Sequence, residues 1–496
     1  MTLTTFQEFE TIAHDANLAP VTDTVSVDMD TPISIYLKVA SGSHSFLLES
    51  LEGGEKWGRY SFIGLSPILV FGSKGRQVFQ EYAGEERQWQ DSTDPLQDFQ
   101  RILAQFRPAH IPLSEPPRFS GGAVGYLGYD MVRFMERLPE RLTNNTGFND
   151  SVFMVPRLVL AHDNIKHTLQ IICWARLDGS PLNKIYEKAV EDVRQVRNRL
   201  LQGCPYPSDS ITETTSLTPE VEQSVFEADV RKAKEYIRAG DIIQVVLSQR
   251  FSGRNRIPLF EIYRALRCIN PSPYLYFLQM GDESMAGSSP EILVRLTNRH
   301  IELRPIAGTR PRGRDDAEDK RLEKELLADP KERAEHLMLV DLGRNDVGRV
   351  ARLGTVKVSE LMHIERYSHV MHIVSNVTGE LDEGLDMFHV LKACFPAGTV
   401  SGAPKIRAME IIEELEHTRR GPYAGAAGYM DFSGNMDMAI TIRTLCQKGD
   451  QLYLQAGAGI VADSDPAKEW EETINKGKAL MKAIDKAQGL KLDKGI

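Results

Sequence analysis

The stretch DPKERAEHLMLVDLGRND at 329–346 constrains the fold more than any other. Asp329 suits a helix cap that accepts the first free amides, and Pro330 suits the first helical position. Glu332 and Glu335 are three apart and share one helix face. Leu337-Met338-Leu339-Val340 is apolar on every side and predicts a buried helix. Buried helices carry charge only for a reason. Yet His336, Asp341, Arg344, Asn345 and Asp346 sit in or beside that run. Taken alone, the plain account is a capping box between Asp329 and Glu332, with ordinary ion pairs for the rest.

A second stretch, DPAKEWEETINKGK at 465–478, repeats the plan. Glu469 and Glu472 are again three apart, and Lys476 lies four beyond Glu472 on the same face. Alone this is a surface helix with a Glu–Lys pair contributing about 0.2–0.5 kcal/mol. Two such helices together gather four carboxylates, too much negative charge without a counter-ion. Carboxylates facing one cavity suit Mg²⁺, which keeps several waters. An ion held there would grip an anionic substrate by its carboxylate or phosphate. The spacing does not establish that the helices meet.

Other features bound the possibilities. The 496 residues allow several average domains or one or two large α/β folds. A net charge of −10 argues against general nucleic-acid binding. The basic run Arg310–Arg314 is followed at once by Asp315 and Asp316, so it reads as a local anion site or a solvated loop. The five cysteines form no CxxC pair, which disfavours disulfides and zinc and points to a reducing cytoplasm. The start MTLTTFQEFE lacks a secretion leader, and no apolar run approaches a membrane span.

Along the chain, 1–30 reads as a short helix and a polar connection, and strand-like pattern begins at Ile33. Strands follow at 45–50, 59–64 and 68–71, with a turn at Gly53-Gly54. A helix at 94–106 precedes the glycine-rich strand 121–129, strands 152–161 and 168–175, and a helix at 181–202. The Pro-, Ser- and Thr-rich segment 203–219 reads as a linker, dividing a region 1–210 from a region 220–490. Beyond it come helices 222–239 and 257–270 and strands 241–250, 274–279, 291–296, 425–430, 440–445 and 452–461. Gly122-Ala123-Val124-Gly125-Tyr126 echoes Gly425-Ala426-Ala427-Gly428-Tyr429, from related sheets or from the needs of close strand packing.

Anion handles are present. Arg443 sits in an expected strand, 440–443, and Gly457-Ala458-Gly459 follows a strand where amides can approach a ligand. Gly398–Lys405 lacks the GK[ST] ending of a phosphate loop. His372 shares a strand face with Val370 and Val374, and its titration near neutrality makes it the best general acid or orienting group available.

PIAGTRPRG, DPKERAEHLMLVDLGRND, YSHVMHIVS, GTVSGAPK, GPYAGAAGY and AGAGIVADSDPAKEWEETINK occur in order, with LLES at 47–50 and GRYSFIG at 58–64. Together they closely resemble the chorismate-utilising enzymes, and within them the anthranilate-forming branch. The resemblance implies an α/β fold of the α+β type, with two packed antiparallel sheets surrounded by helices. It implies Mg²⁺ bound by Glu335 and Glu472, with Glu332 and Glu469 supporting it through waters. Tyr423, Arg443 and the Gly457–Ala458–Gly459 backbone would hold the enolpyruvyl carboxylate, and Lys476 would add positive charge. Gly308, Thr309 and Thr399 would line the ring pocket, and His372 would assist departure of the C4 hydroxyl. Ammonia would add at C2, and pyruvate would then be eliminated.

Two positions sort the relatives. Water-adding members carry a lysine base where this chain has Gln244, and some aminodeoxychorismate synthases carry PIKGT where this chain has Ala307. Both departures point to anthranilate. The rivals are an aminodeoxychorismate synthase that works without the lysine and a non-catalytic tryptophan-binding paralogue. The resemblance further implies a separate glutamine amidotransferase subunit as ammonia source. It also implies feedback inhibition by tryptophan through Leu48, Glu49, Ser50, Pro273, Tyr274 and Leu275.

Overall fold

Two long neighbouring strands, Tyr60–Lys74 and Ser151–Asp163, organise the fold. This computed structural model describes residues 3–50, 58–205, 215–367 and 370–489. The two strands pair antiparallel along most of their length, with a register shift between Pro67 and Leu69. Such an irregularity bends a strand pair, and here its two halves lead into different sheets.

From the Tyr60 end, pairing runs through His44–Glu49, Tyr274–Met280, Glu283–Ser289, Thr444–Lys448 and Gln451–Ile460 to Gln244–Arg254. On the other side it reaches Thr168–Arg176 and Leu18–Ser26. From the Ser151 end it runs through Gly122–Leu127, Ala426–Asp431, Met436–Ile440, Ile292–Thr297 and His300–Leu303 to Val370–Glu380. Ile306–Pro311 and Lys357–Arg366 flank that last strand. These pairings are antiparallel, so the expected mixed fold with antiparallel sheets and surrounding helices is the one observed.

Strand alternation builds two cores. Tyr276 and Leu278 point between the sheets, into a cluster with Val124, Met154 and Met438. Leu275 and Phe277 point the other way, under the helices Leu182–Leu200, Leu259–Ile269 and Pro466–Gly489. Strands from residues before the expected linker pair with strands after it, as His44–Glu49 does with Tyr274–Met280. The two expected regions therefore share their sheets. Residues 206–214 of the linker and the Gly53-Gly54 turn lie outside the described residues.

Several local expectations change. The polar connection before residue 30 contains the strand Leu18–Ser26. Among the described residues the strand it pairs with is Thr168–Arg176, and such an edge tolerates Pro20, which has no N–H. The strand pattern from Ile33 is the helix Pro32–Val39, started by a Thr31–Ser34 capping box. Glu283–Ser289 was not foreseen, because its small residues hide a strand that is buried throughout. The glycine echo reflects close packing. Gly125 and Gly428 face each other across a strand pair, and an added Cβ would sit 2.0 Å from the Val152 carbonyl and 2.1 Å from the Asp437 carbonyl.

Candidate active site

The helix Pro330–Gly348 starts as its sequence requires, with Asp329 accepting from the Lys331 and Glu332 amides at 3.0 and 3.3 Å. The expected capping box does not close. Glu332 turns instead to Arg310, whose guanidinium lies 3.1 Å from Glu332 and 2.9 Å from Asp329. Arg312 pairs with Asp319 and Arg314 with Glu318, so this basic run is spent on internal ion pairs. The helix is buried on one side only. His336, Leu339, Val340, Gly343 and Asp346 face inward, while Leu337 is 44% exposed. Asp341 and Arg344 pair on the outer surface, and buried Asp346 meets Lys405 at 2.7 Å. Burial holds the His336 imidazole down to about 4, so it adds no charge to the interior.

The helix Pro466–Gly489 converges on the first. Burial and then the neighbouring Glu332 and Glu472 carboxylates raise the Glu335 carboxyl above its usual range. Burial also raises Glu469, and Glu472 adds to the effect. Lys331, on the first helix, opposes the rise in both. Lys476 Nζ lies 2.7 Å from Glu472 Oε1 and donates to the Gly457 carbonyl at 2.9 Å. The two carboxylate pairs that the sequence left apart thus face each other.

Glu335 and Glu472 are mutually repelling oxygen donors, and among the described residues no cationic side chain lies within ion-pairing distance of Glu335. That donor set fits a hard divalent ion that takes one or two carboxylates and fills its shell with waters. Among the described residues no three acidic, histidine or cysteine groups cluster as a closed metal cage. Glu332, held by Arg310, is less available to the ion than Glu335.

Opposite these carboxylates lies an anion wall. Arg443 is not in a strand: Met436–Ile440 ends before it and Thr444–Lys448 begins after it. Its φ of 51° places a non-glycine residue in the left-handed region, a strain that marks functional turns. Burial pushes its pKa down, and Tyr423 and Glu472 push it back. Among the described residues no carboxylate lies within ion-pairing distance of it, so this desolvated cation is left for a ligand. Gly457, Ala458 and Gly459 lie within the strand Gln451–Ile460 rather than after it. Their lack of side chains has a local cause. A Cβ on Gly457 would sit 2.7 Å from the Tyr423 hydroxyl, and one on Gly459 would sit 2.5 Å from the Gln244 amide nitrogen. Burial raises the Tyr423 hydroxyl to about 12, so it stays protonated as a donor.

His372 stands on the strand Val370–Glu380, with Nδ1 3.0 Å from the Gly308 carbonyl and 3.1 Å from Thr309 Oγ1. The carbonyl can only accept, so Nδ1 carries the hydrogen and Nε2 is left to the cleft. Burial lowers this histidine, the Gly308 carbonyl opposes that, and Arg443 lowers it again. It is therefore neutral at physiological pH. Gly308 has φ 67°, which glycine alone adopts freely, and a Cβ there would press within 3.1 Å of Glu332.

Sequence reasoning missed Glu291. Its side chain lines a cavity with Gly398, Thr399 and Leu342, and burial pushes its carboxyl up to about 8, opposed by the Thr399 hydroxyl and Lys476. A single glutamate after Ser-Ser-Pro gives no sequence signal; only the fold brings it beside Thr399.

Away from this cleft, Leu48, Glu49, Ser50, Pro273, Tyr274 and Leu275 line one cavity, together with Tyr60, Phe62, Arg118, Tyr276, Arg295 and Tyr429. The expected contacts do not all contribute side chains. Glu49 turns to Tyr263 and Arg267 at 2.7 and 3.1 Å, and Leu275, its register partner, packs into the core on that same side.

A profile of the family described as chorismate binding enzyme matches residues 44–482. The chain is 49% identical to anthranilate synthase component 1 of Acetivibrio thermocellus, over 97% of this chain and 98% of that protein. It is 48% identical to the Aquifex aeolicus protein of the same name, with the same coverage. The crystal structure of anthranilate synthase component I from Streptococcus pneumoniae superposes with a TM-score of 0.76 at 37% identity, over 92% of this chain and 98% of that one. The menaquinone-specific isochorismate synthase of Escherichia coli shares the fold, with a TM-score of 0.70 at 20% identity over 96% and 97% of the two chains.

Proposed function

Because this chain belongs to the chorismate-binding enzymes, we infer that it is the large subunit of an anthranilate synthase. It converts chorismate and ammonia to anthranilate, pyruvate and water. The observation that carries the reading is the meeting of Glu335 and Glu472 with the unpaired Arg443 and with Lys476. This is a site for a dianion that also needs a divalent ion.

Glu335 and Glu472 would hold Mg²⁺, which supplies a Lewis-acid grip on the ring carboxylate. Arg443, the Tyr423 hydroxyl and Lys476 bind the enolpyruvyl carboxylate from positions set before substrate arrives. Gly308 and Thr309 fix the His372 ring. The C4 hydroxyl leaves as water once it takes a proton, while ammonia forms the new bond at C2. Glu291, protonated at neutral pH beside Thr399, is the better donor for that proton. Neutral His372 presents Nε2 as an acceptor, which suits removal of the C2 proton as pyruvate departs and the ring aromatises. Gln244 cannot deprotonate water, and Ala307 offers no amine, so neither hydroxylation nor a lysine-bound intermediate competes.

Ammonia comes from a separate glutaminase subunit, and tryptophan binds in the cavity of Leu48, Ser50 and Tyr274 as feedback inhibitor. A cytoplasmic setting is supported by five unpaired cysteines. Among the described residues no helix is long and apolar enough to cross a membrane. Purified chain given chorismate, Mg²⁺ and ammonium should release the fluorescent ortho-aminobenzoate and pyruvate in equal amounts. Accumulation of 4-amino-4-deoxychorismate would instead favour the aminodeoxychorismate synthase. Tryptophan binding without pyruvate release at any ammonium concentration would favour the non-catalytic paralogue.

A further inference from the structure

The effector cavity does not end at the residues the sequence predicted. Arg118, Arg295, Tyr429 and Asp437 line it and also line a wide groove on its outer side, which runs to Pro108, His110 and Trp174. Cavity and groove therefore adjoin, and these residues form the neck where they meet. An amino acid entering here is a zwitterion, and its carboxylate needs a cation at the neck.

Arg295 is committed. Its guanidinium lies 3.0 Å from Asp437 and 3.6 Å from Glu302, and it donates to the Tyr274 hydroxyl at 2.9 Å. The Tyr274 hydroxyl in turn donates to Asp437 at 2.9 Å. Arg118 is different. Among the described residues no carboxylate lies within ion-pairing distance of it. The nearby acid of its own loop, Glu115, is taken by Lys166 at 2.6 Å and by Arg59 at 3.6 Å. Pro116 and Pro117 precede Arg118 and stiffen the loop that carries it. Its charge reaches the Tyr274 and Tyr429 hydroxyls, where it opposes the rise that burial causes.

We propose that Arg118, on the groove side of the cavity, reads the carboxylate of the aromatic amino acid bound there, so that the site binds it more tightly than indoles without that group. The proposal rests on the effector reading above. It makes Arg118 the specificity-determining residue at the neck, while the aromatic walls Tyr60, Phe62 and Tyr276 accept the ring. No motif announces the role, because Arg118 comes from a loop far in sequence from Leu48–Ser50 and from Pro273–Tyr274.

The test is calorimetric binding of L-tryptophan and of tryptamine, which keeps the indole and ammonium but lacks the carboxylate. The full-length chain is used, with Arg118→Gln and Arg118→Lys beside the unaltered protein. Losing a charge-assisted contact should weaken L-tryptophan binding by roughly ten- to a hundred-fold in Arg118→Gln. Tryptamine binding should be unchanged, which also reports an intact cavity, and Arg118→Lys should recover part of the loss. Equal L-tryptophan affinity in Arg118→Gln and the unaltered protein would overturn the role of Arg118 alone. Equal loss of both ligands would reduce it to a structural role and overturn it too. Failure of the unaltered protein to bind L-tryptophan would overturn the effector reading together with the proposal.

Discussion

Glu291 keeps its proton at neutral pH because the interior cannot solvate its charged form, and the opposing pull of Thr399 and Lys476 leaves it near 8. A carboxyl raised in this way is an acid below that pH and loses the ability to donate above it. Turnover measured at constant free ammonia should therefore fall as pH rises through about 8. Glu291→Gln cannot donate a carboxyl proton, and its turnover should drop by roughly a hundred- to ten-thousand-fold and lose that limb. A steady-state pH profile of both proteins checks this. The lowered His372 gives the opposite limb: its acceptor nitrogen is lost as pH falls. At this scale the sequence was only partly legible. The carboxylates of the Asp-Pro helices announced themselves by spacing, because a helix face is a local property. Glu291 and Arg118 did not, because their meaning comes from residues far along the chain.

Helix starts were legible because a cap is written within a few residues, as at Asp94, Asp329 and Asp465. Alternation also gave most strands. It misled at Arg443, where an apolar–polar pattern runs through residues 440–443 while the backbone turns at φ 51°. It also failed at Glu283–Ser289, whose Ser, Ala and Gly residues are small because neighbouring strands crowd them. Glycine spacing shows the same crowding from the other side. Gly428→Ala would force a Cβ to within 2.1 Å of the Asp437 carbonyl. The strand Ala426–Asp431 would have to shift, at a cost of about 1–3 kcal/mol, lowering the thermal midpoint. Thermal unfolding followed by circular dichroism measures this directly. An unchanged midpoint would mean that the strand pair is looser than its geometry here.

The whole molecule places the active-site cleft and the proposed effector cavity on one set of sheets. The strand Ala426–Asp431 lines that cavity through Ala427, Gly428 and Tyr429, and Tyr423 of the anion wall lies just before it. A ligand that shifts this strand has a short path to substrate binding. Ser50→Phe fills the cavity from a position only 6% exposed, so it should abolish tryptophan inhibition while ammonium-dependent turnover persists. Inhibition curves for the two proteins check this, and unchanged inhibition would move the effector elsewhere. The fold also gives the opening stretch its purpose, since Glu335 is anchored to the core by Leu339 and Val340 and faces Glu472 from the far end of the chain. The most direct test of that meeting is a Mg²⁺ titration of anthranilate fluorescence in the unaltered protein, Glu335→Gln, Glu472→Gln and the double variant. If both carboxylates hold one ion, each single change should cut turnover by at least about a hundred-fold and raise the Mg²⁺ requirement, and the double variant should be little worse than either. Near-normal turnover at an unchanged Mg²⁺ requirement in either single variant would contradict the account.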